Sequence, residues 1–86
     1  MKIKPGYLMR NVAGVHVVLP VGQVDFDGMI KLNETGVLLW EKLQNDVLPE
    51  DLVSALLAEY DVDRVTAEND VNAFLAKLKQ ADLIDE

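Results

Sequence analysis

Cysteine is absent from this 86-residue chain, so neither a disulfide framework nor a thiolate metal site is available. Histidine and serine each occur once, as His16 and Ser54, which leaves no partners for a histidine metal site or a nucleophilic triad. The glycines form neither of the patterns that cradle phosphate in nucleotide-binding loops. These absences exclude the common catalytic constellations. We therefore expect a protein that is not an enzyme and that holds no metal or cofactor.

Long hydrophobic runs and basic residues are also scarce. No segment approaches the roughly 20 apolar residues that a membrane-spanning helix requires. Eight Lys and Arg residues stand against fifteen Asp and Glu residues, which gives a net charge of −7. Nucleic-acid binders draw much of their affinity from cations that neutralise phosphates, so this balance argues against nucleic acid and anionic membranes as partners. The N-terminus lacks the apolar run of a signal peptide, and we expect one cytoplasmic domain over residues 1–86.

Apolar residues alternate in the first third of the chain, as they do in strands. The pattern predicts strands over Tyr7–Val12 and Val15–Leu19, joined by the turn Ala13-Gly14 into an antiparallel hairpin. A third strand is predicted over Met29–Leu32, after an Asp27-Gly28 turn. The residues of the second and third strands that we expect to face the core are Val15, Val17, Leu19, Ile30 and Leu32.

At Leu32 the spacing of the apolar residues changes from two to between three and four, which marks the passage from strand to helix. Asn33 is a good N-cap for a helix predicted over about residues 34–44, because its side-chain oxygen can accept a hydrogen bond from the first turn. Leu32 and Val37 have the spacing of a hydrophobic staple. Trp40, the only tryptophan, falls on the apolar face and is expected to anchor the core.

Two further helices are predicted, over about residues 49–60 and 64–81. Pro49 suits the first helical position, although Leu48 before it is a poor N-cap, and Asp63 is a good N-cap for the last helix. Three strands followed by three helices make an α+β fold. The last two helices have helix-turn-helix spacing, so we predict a winged-helix-like βββααα domain with a three-stranded antiparallel sheet.

Two surface features are candidates for binding a partner. An open edge of the third strand would present unpaired backbone groups that can accept a strand from a peptide, with Met29 and Ile30 beside them. On the last helix, Leu75 lies to one side of the predicted core direction, so it either forms the wall of a groove or simply widens the core stripe. The polar residues on its flank are Arg64, Glu68, Asn72 and Lys79.

The stretch Leu32-Asn33-Glu34-Thr35-Gly36, followed by Leu39-Trp40-Glu41, resembles the L-N-E-T-[GA]…[IL]-W-E signature of PqqD-like proteins. The family is named after a protein of pyrroloquinoline quinone (PQQ) biosynthesis. The similarity continues through Pro49–Val53 to Ala81-Asp82-Leu83-Ile84 and covers nearly the whole chain. The resemblance implies a winged-helix-like, non-catalytic peptide chaperone. Such a domain binds the leader segment of a ribosomally made precursor peptide along the third strand, against the third helix, and presents it to a modifying enzyme.

The resulting hypothesis is that a leader peptide forms backbone hydrogen bonds to the third strand and packs its apolar side chains against Leu75. The expected partners are the precursor peptide and a radical SAM or other peptide-modifying enzyme, in a PQQ pathway or that of another modified peptide. The domain itself is expected to be a monomer or a homodimer. Two alternatives remain open, a winged-helix DNA-binding regulator and a structural subunit. The predicted peptide-binding residues are Met29, Ile30, Lys31, Leu32, Arg64, Glu68, Asn72, Leu75 and Lys79.

Overall fold

The computed structural model describes residues 1–21 and 30–85 of the chain. Met29 and the predicted Asp27-Gly28 turn lie outside these residues. The elements, in chain order, are β1 (Lys2–Ile3), β2 (Tyr7–Val12), β3 (Val15–Pro20), β4 (Ile30–Leu32), α1 (Glu34–Lys42), α2 (Pro49–Glu59), α3 (Arg64–Gln80) and β5 (Ile84–Asp85).

The main sheet is three-stranded and antiparallel, with the strand order β2-β3-β4. Together with the three helices that follow, it confirms the predicted α+β arrangement. The terminal segments add a second, two-residue antiparallel pair, β1 with β5, which the sequence pattern did not predict. The Ile3 N–H also donates to the Leu43 carbonyl at 2.9 Å, so the start of the chain is tied to the end of α1.

The hydrophobic core lies between one face of the main sheet and the three helices. Its most deeply buried side chains come from all three helices and the residue that ends α1. Trp40 is 3% exposed and belongs to this cluster, as predicted for a residue that anchors the core. Leu83 and Ile84 close the core from the C-terminal side. The fully buried large side chains are Leu39, Leu43, Leu52, Leu56, Val71 and Leu78.

The sheet faces differ from the prediction for β3. Val18 packs in the core cluster and pairs with Ile30 of β4, and residues paired across a ladder share a face. Val17 and Leu19 are buried too, but alternation places them on the opposite face, and Val15 is 42% exposed. The prediction for Ile30 and Leu32 of β4 is confirmed, since both belong to the core cluster.

Each helix begins with a polar interaction that the local sequence supplies. The Asn33 side chain accepts from the Gly36 N–H at 2.8 Å, and that of Asp63 accepts from the Thr66 N–H at 2.7 Å, as predicted. The N-cap of α2 is Leu48, whose side chain cannot accept a hydrogen bond. Instead, the Asp51 carboxylate accepts from the Leu48 N–H at 2.8 Å, which satisfies one of the donors at this helix end. Within the described residues, no helix is long and apolar enough to cross a membrane.

Candidate functional site

Strand β4 lies at one edge of the main sheet. Its one described neighbour is β3, with the register His16 to Leu32, Val17 to Lys31 and Val18 to Ile30. An edge strand carries backbone N–H and C=O groups that no ladder uses, and these can template an added strand. In an antiparallel ladder, hydrogen-bonded pairs alternate with non-bonded pairs. This alternation, which we call the hydrogen-bond phase of the sheet, determines which residues of β4 carry the free groups.

The phase is set by the hairpin between β2 and β3. Ala13 and Gly14 both have positive φ, +53° and +84°, which is the conformation of a two-residue type I′ turn. The pair that flanks such a turn, Val12 and Val15, is hydrogen-bonded, and alternate pairs along the ladder then follow. Pro20, which has no N–H, falls in a non-bonded pair, as this phase requires.

Residues of β3 that do not bond to β2 direct their backbone groups towards β4. These are His16 and Val18, which pair with Leu32 and Ile30. The remaining pair, Val17 with Lys31, is therefore a non-bonded one, and the N–H and C=O of Lys31 point away from β3. Among the described residues of β4, Lys31 is thus the residue that presents both backbone groups at the free edge.

A groove of about 720 Å³ runs between β4, the first turns of α1 and one side of α3. Ligand sites of this size commonly combine apolar walls with a few polar groups, and this groove has that character. Strand β4 contributes Lys31 and Leu32 to the lining of the groove. The residues that α1 and its cap contribute are Asn33, Thr35, Gly36 and Leu39, and those from α3 are Asp70, Ala73, Phe74, Ala76, Lys77 and Gln80.

Gly36 allows the close approach of β4 and α1 that shapes this groove. A Cβ at position 36 would lie 3.2 Å from the Asn33 Oδ1 and 3.4 Å from two Leu32 side-chain atoms. The same Asn33 oxygen accepts from the Gly36 N–H and, at 2.9 Å, from the Thr35 hydroxyl. Strand and helix are therefore joined by one capped turn in which a larger side chain at position 36 would be crowded.

The α3 wall combines small side chains with one aromatic ring. Ala73 and Ala76 are exposed, and Phe74 is half-buried against the core. Two small residues beside an aromatic ring leave room for an apolar side chain of a ligand to contact the ring. Lys77 and Asp70 add one charge of each sign to this wall.

The predicted site residues of β4 all belong to the free-edge strand, apart from Met29, which is outside the described residues. Ile30 and Leu32 are each only 8% exposed, so their side chains serve the core and their contribution to a ligand would be small. Lys31 is exposed and belongs to the groove lining, but alternation along β4 places its side chain on the sheet face opposite Ile30 and Leu32.

The residues predicted on α3 lie elsewhere. Leu75 is 5% exposed and belongs to the core cluster, so it widens the core stripe and does not form a groove wall. The groove is lined by the opposite side of the helix, which carries Asp70, Ala73 and Lys77. Peptide contacts by the side of α3 that carries Leu75 stay a prediction, which the position of the groove does not favour. None of the five residues named for α3 lines this groove, namely Arg64, Glu68, Asn72, Leu75 and Lys79.

Arg64 instead makes a structural ion-pair network at the start of α3. Its guanidinium donates to the Glu50 carboxylate of α2, and its Nε donates to the Glu68 carboxylate at 2.8 Å. The hydrogen bond to Glu50, followed by the charge of that residue, raises the pKa of Arg64 further above its usual value. These contacts link the start of α3 to α2 and engage the Arg64 side chain outside the groove lining.

A second cleft, of about 630 Å³, shares Leu32 and Asn33 with the groove. It is otherwise lined by the hairpin turn, by the start of α1 and by Tyr60, and it contains the single histidine, His16. Within residues 1–21 and 30–85, no group of three or more His, Cys, Asp or Glu side chains could hold a metal ion. The groove beside β4 offers backbone groups and side-chain contacts, which suit the binding of a peptide.

Comparison with known proteins agrees with this geometry. The family described as Coenzyme PQQ synthesis protein D (PqqD) matches residues 16–84. The chain belongs to the PqqD family. The match spans β3, β4, the three helices and the start of β5, so it includes both walls of the groove of this PqqD-family domain.

Two solved structures similar to this PqqD-family domain contain leader peptides. One is TbiB1 in complex with the TbiA(beta) leader peptide, 30% identical, with a TM-score of 0.77 over 99% of this chain and 95% of that one. The other is lasso peptide synthetase B1 complexed with the leader peptide, 26% identical, with a TM-score of 0.70 over 92% and 89% of the two chains. The shared fold extends over essentially the whole domain.

Proposed function

We propose that this PqqD-family domain binds the leader segment of a ribosomally made precursor peptide as an added strand on the free edge of β4. The observation that carries the proposal is that Lys31 directs both its backbone groups away from β3, in a strand whose lining residues face α3 across the groove. Leader peptides bound to TbiB1 and to lasso peptide synthetase B1 support the nature of the ligand. The residues that we propose for the binding site are Lys31, through its backbone, and Ala73, Phe74 and Lys77 of α3, with Ile30 and Leu32 flanking Lys31 in the strand. Met29, outside the described residues, stays a prediction.

The backbone ladder alone is too weak to account for useful affinity. Lys31 can form two hydrogen bonds with one residue of the peptide, and each contributes about 0.5–1.5 kcal/mol net. A dissociation constant near 1 μM requires about −8 kcal/mol. Most of the binding energy must therefore come from ligand side chains, each of which contributes about 1.5–3 kcal/mol when a large apolar group is fully buried. The ladder fixes direction and register, and the side chains determine which peptide is bound.

The domain is proposed to act by presentation and not by catalysis. No nucleophile activated by a base is found among the described residues that line its groove, and we assign the chemical step to a partner enzyme, a radical SAM maturase or another peptide-modifying enzyme. The similarity to lasso peptide synthetase B1 supports a lasso-type pathway, and the family name supports PQQ biosynthesis. In either pathway, the domain holds the leader while the rest of the precursor extends from the groove to the enzyme.

The edge can be tested by replacing Lys31 with proline. Lys31→Pro removes the N–H that faces the free edge but none of the hydrogen bonds to β3, and proline is tolerated at such edge positions. Lys31→Ala is the matched control, since it removes the side chain and keeps the N–H. Peptides selected on the whole domain from a random display library serve as the probe, with affinities measured by calorimetry.

We expect Lys31→Pro to bind the selected peptides at least about fivefold more weakly than Lys31→Ala, because the peptide carbonyl then loses its donor at a cost of about 1–3 kcal/mol. Circular dichroism should show that both variants are folded. Equal affinity of the two variants for every selected peptide would refute strand addition at this edge.

The two alternatives predict different observations. A DNA-binding regulator would show salt-dependent binding to duplex DNA, which a gel shift at low salt detects. For a structural or self-associating subunit, the average molar mass measured by light scattering would rise with protein concentration. A dimer by itself would not contradict peptide binding, because an open edge can also pair between two copies.

A further inference from the structure

The main sheet has a second edge, β2, which is longer than the described part of β4. Strand β2 has six residues against three in β4, and β3 is its one described partner. The Val21 N–H donates to the Gly6 carbonyl at 2.8 Å, which continues the series of bonded pairs that starts with Val12 and Val15 beside the turn. The residues of β2 between these bonded positions direct their backbone groups outward. They are Tyr7, Met9 and Asn11.

This outward edge of β2 is unpaired within residues 1–21 and 30–85. No described residue bonds to the outward N–H and C=O groups of the three residues. Folded domains commonly protect such an edge with a proline, a bulge or a covering element. Strand β2 contains no proline, and its residues pair with those of β3 one for one, so it has no bulge. The edge therefore offers a template for another strand.

A second copy of β2 fits this template in an antiparallel arrangement. The outward residues alternate and are centred on Met9, so a twofold axis beside Met9 brings each of them opposite an outward residue of the other copy. Tyr7 of one copy then lies opposite Asn11 of the other, and the two Met9 residues lie opposite each other. Each pair exchanges two backbone hydrogen bonds, which gives about six bonds along the contact.

The side chains allow this pairing at β2 and oppose it at β4. On the sheet face away from the helices, Leu8 of one copy lies opposite Arg10 of the other, so no like charges meet directly. The same operation on β4, centred on Lys31, would place two lysine side chains opposite each other, which is unfavourable. Residues 1–21 contain no Asp or Glu, so the carboxylates behind the net charge of −7 come from other parts of the chain.

We propose that two copies of this domain associate through β2 into a weak dimer, which joins their three-stranded sheets into one continuous antiparallel sheet. Both β4 edges then lie at the outer ends of this sheet and stay free for peptides. A contact through one ladder buries less than the roughly 800 Å² per partner of a stable interface, so we expect a dissociation constant of about 10 μM to 1 mM. The dimer does not depend on leader binding at β4.

The experiment reverses one charge at Leu8, which is half-buried. In the dimer, Leu8→Glu places a carboxylate opposite Arg10 of the other copy, whereas Leu8→Lys places an ammonium group there. Both variants lose the same leucine, and circular dichroism checks that both are folded. Each dimer contains two such contacts, so the dissociation constant of Leu8→Lys should be at least about tenfold higher than that of Leu8→Glu. Sedimentation equilibrium over about 10 μM to 1 mM measures both.

Two controls separate this contact from net charge. Net charge alone would have the opposite effect, because an added lysine reduces the repulsion between two chains of charge −7. The same pair of substitutions at Ala58, which is exposed on α2, should therefore not reproduce the difference. Combining Leu8→Lys with Arg10→Glu restores opposite charges across the contact and should recover the affinity of Leu8→Glu within about threefold.

Hydrogen exchange identifies the edge that pairs. Exchange of the Lys31 amide should be the same at low and high protein concentration, because β4 takes no part in the dimer. The amides that should become protected as the concentration rises are those of Tyr7, Met9 and Asn11.

Three results would overturn the dimer. The first is a single monomeric species up to about 1 mM, and the second is equal dissociation constants for Leu8→Glu and Leu8→Lys. The third is protection of the β2 amides only when a peptide selected from the display library is added, which would mean that a peptide and not a second copy occupies this edge. None of these results bears on strand addition at β4, which the comparison of Lys31→Pro with Lys31→Ala tests separately.

Discussion

The junction between β4 and α1 permits a quantitative prediction about Gly36. Replacing Gly36 with alanine should gain about 0.8–1 kcal/mol of helix propensity. The new Cβ would lie only 3.2 Å from the Asn33 Oδ1, the atom that caps the helix by accepting from the Gly36 N–H at 2.8 Å and that also accepts from the Thr35 hydroxyl at 2.9 Å. Displacing that oxygen would weaken the N-cap, which contributes about 1 kcal/mol to the free energy of unfolding. We therefore expect Gly36→Ala to change the stability of the wild-type protein little or to destabilise it slightly.

The same substitution should behave differently when Asn33 is alanine. The crowded oxygen is then absent, and the contacts with Leu32 at 3.4 Å are common to both backgrounds and cancel. Gly36→Ala should thus be about 1 kcal/mol more favourable in the Asn33→Ala background than in the wild type. Urea denaturation of the four proteins measures this coupling energy.

Asn33→Asp is the matched control for this cycle. Aspartate keeps the capping oxygen, so Gly36→Ala in that background should have the same effect as in the wild type. Additivity of positions 33 and 36 within about 0.3–0.5 kcal/mol would refute the reasoning, because it would mean that the cap and the added methyl group do not compete.

The remaining predictions concern α3 and its cap. Ala73→Gln should fill the groove and cost about 1–3 kcal/mol of peptide-binding free energy in calorimetry, as overpacking does, whereas Ala58→Gln on the exposed side of α2 should have no effect. Leu75→Ala should lower the free energy of unfolding by about 2–5 kcal/mol in urea, and a loss below about 1 kcal/mol would contradict its place in the core. Hydrogen bonds from the Thr66 side chain and backbone lower the pKa of Asp63, so its contribution is present above the unfolded pKa and is lost as pH falls through the folded one. Denaturation at several pH values below about 5 should therefore show a smaller loss for Asp63→Asn than for the wild type, and identical losses would contradict this.

Local signals in the sequence predicted the helices well. Asn33 and Asp63 were identified as N-caps from residue type and position, and both form the expected hydrogen bonds. Capping depends on residues within one turn of each other, so the information lies in a short stretch of chain. The terminal pair β1–β5 depends on residues over eighty positions apart and is only two residues long, and no local pattern indicates it.

The sheet faces could not be predicted for β3 because its apolar residues occupy both faces. Val17, Val18 and Leu19 are consecutive and all buried, so a period of two does not show which of them faces the helices. Only the pairing of Val18 with Ile30 decides it.

The same limit applied to α3 and to the candidate site. Phe74 and Leu75 are adjacent, about 100° apart on the helix, and either could mark the centre of the apolar stripe. The packing of α2 and the sheet makes Leu75 the buried residue and leaves Phe74 at the margin, which places the groove on the other side of the helix from the one predicted. The edge strand itself was predicted correctly, because its position follows from chain order and from its short length.

The charge of Lys31 at the edge of the main sheet has a consequence for aggregation. Long, flat sheet edges recruit further copies of the same chain and lead to aggregation. In the described residues, this edge offers the backbone groups of Lys31 alone, and it places a charged side chain at the same position. A charged residue on an edge strand hinders pairing with a second copy of the sheet, yet a guest peptide with additional side-chain contacts in the groove can still use this edge. The proposed binding edge is thereby protected against pairing with other copies of the domain while it remains open to a peptide.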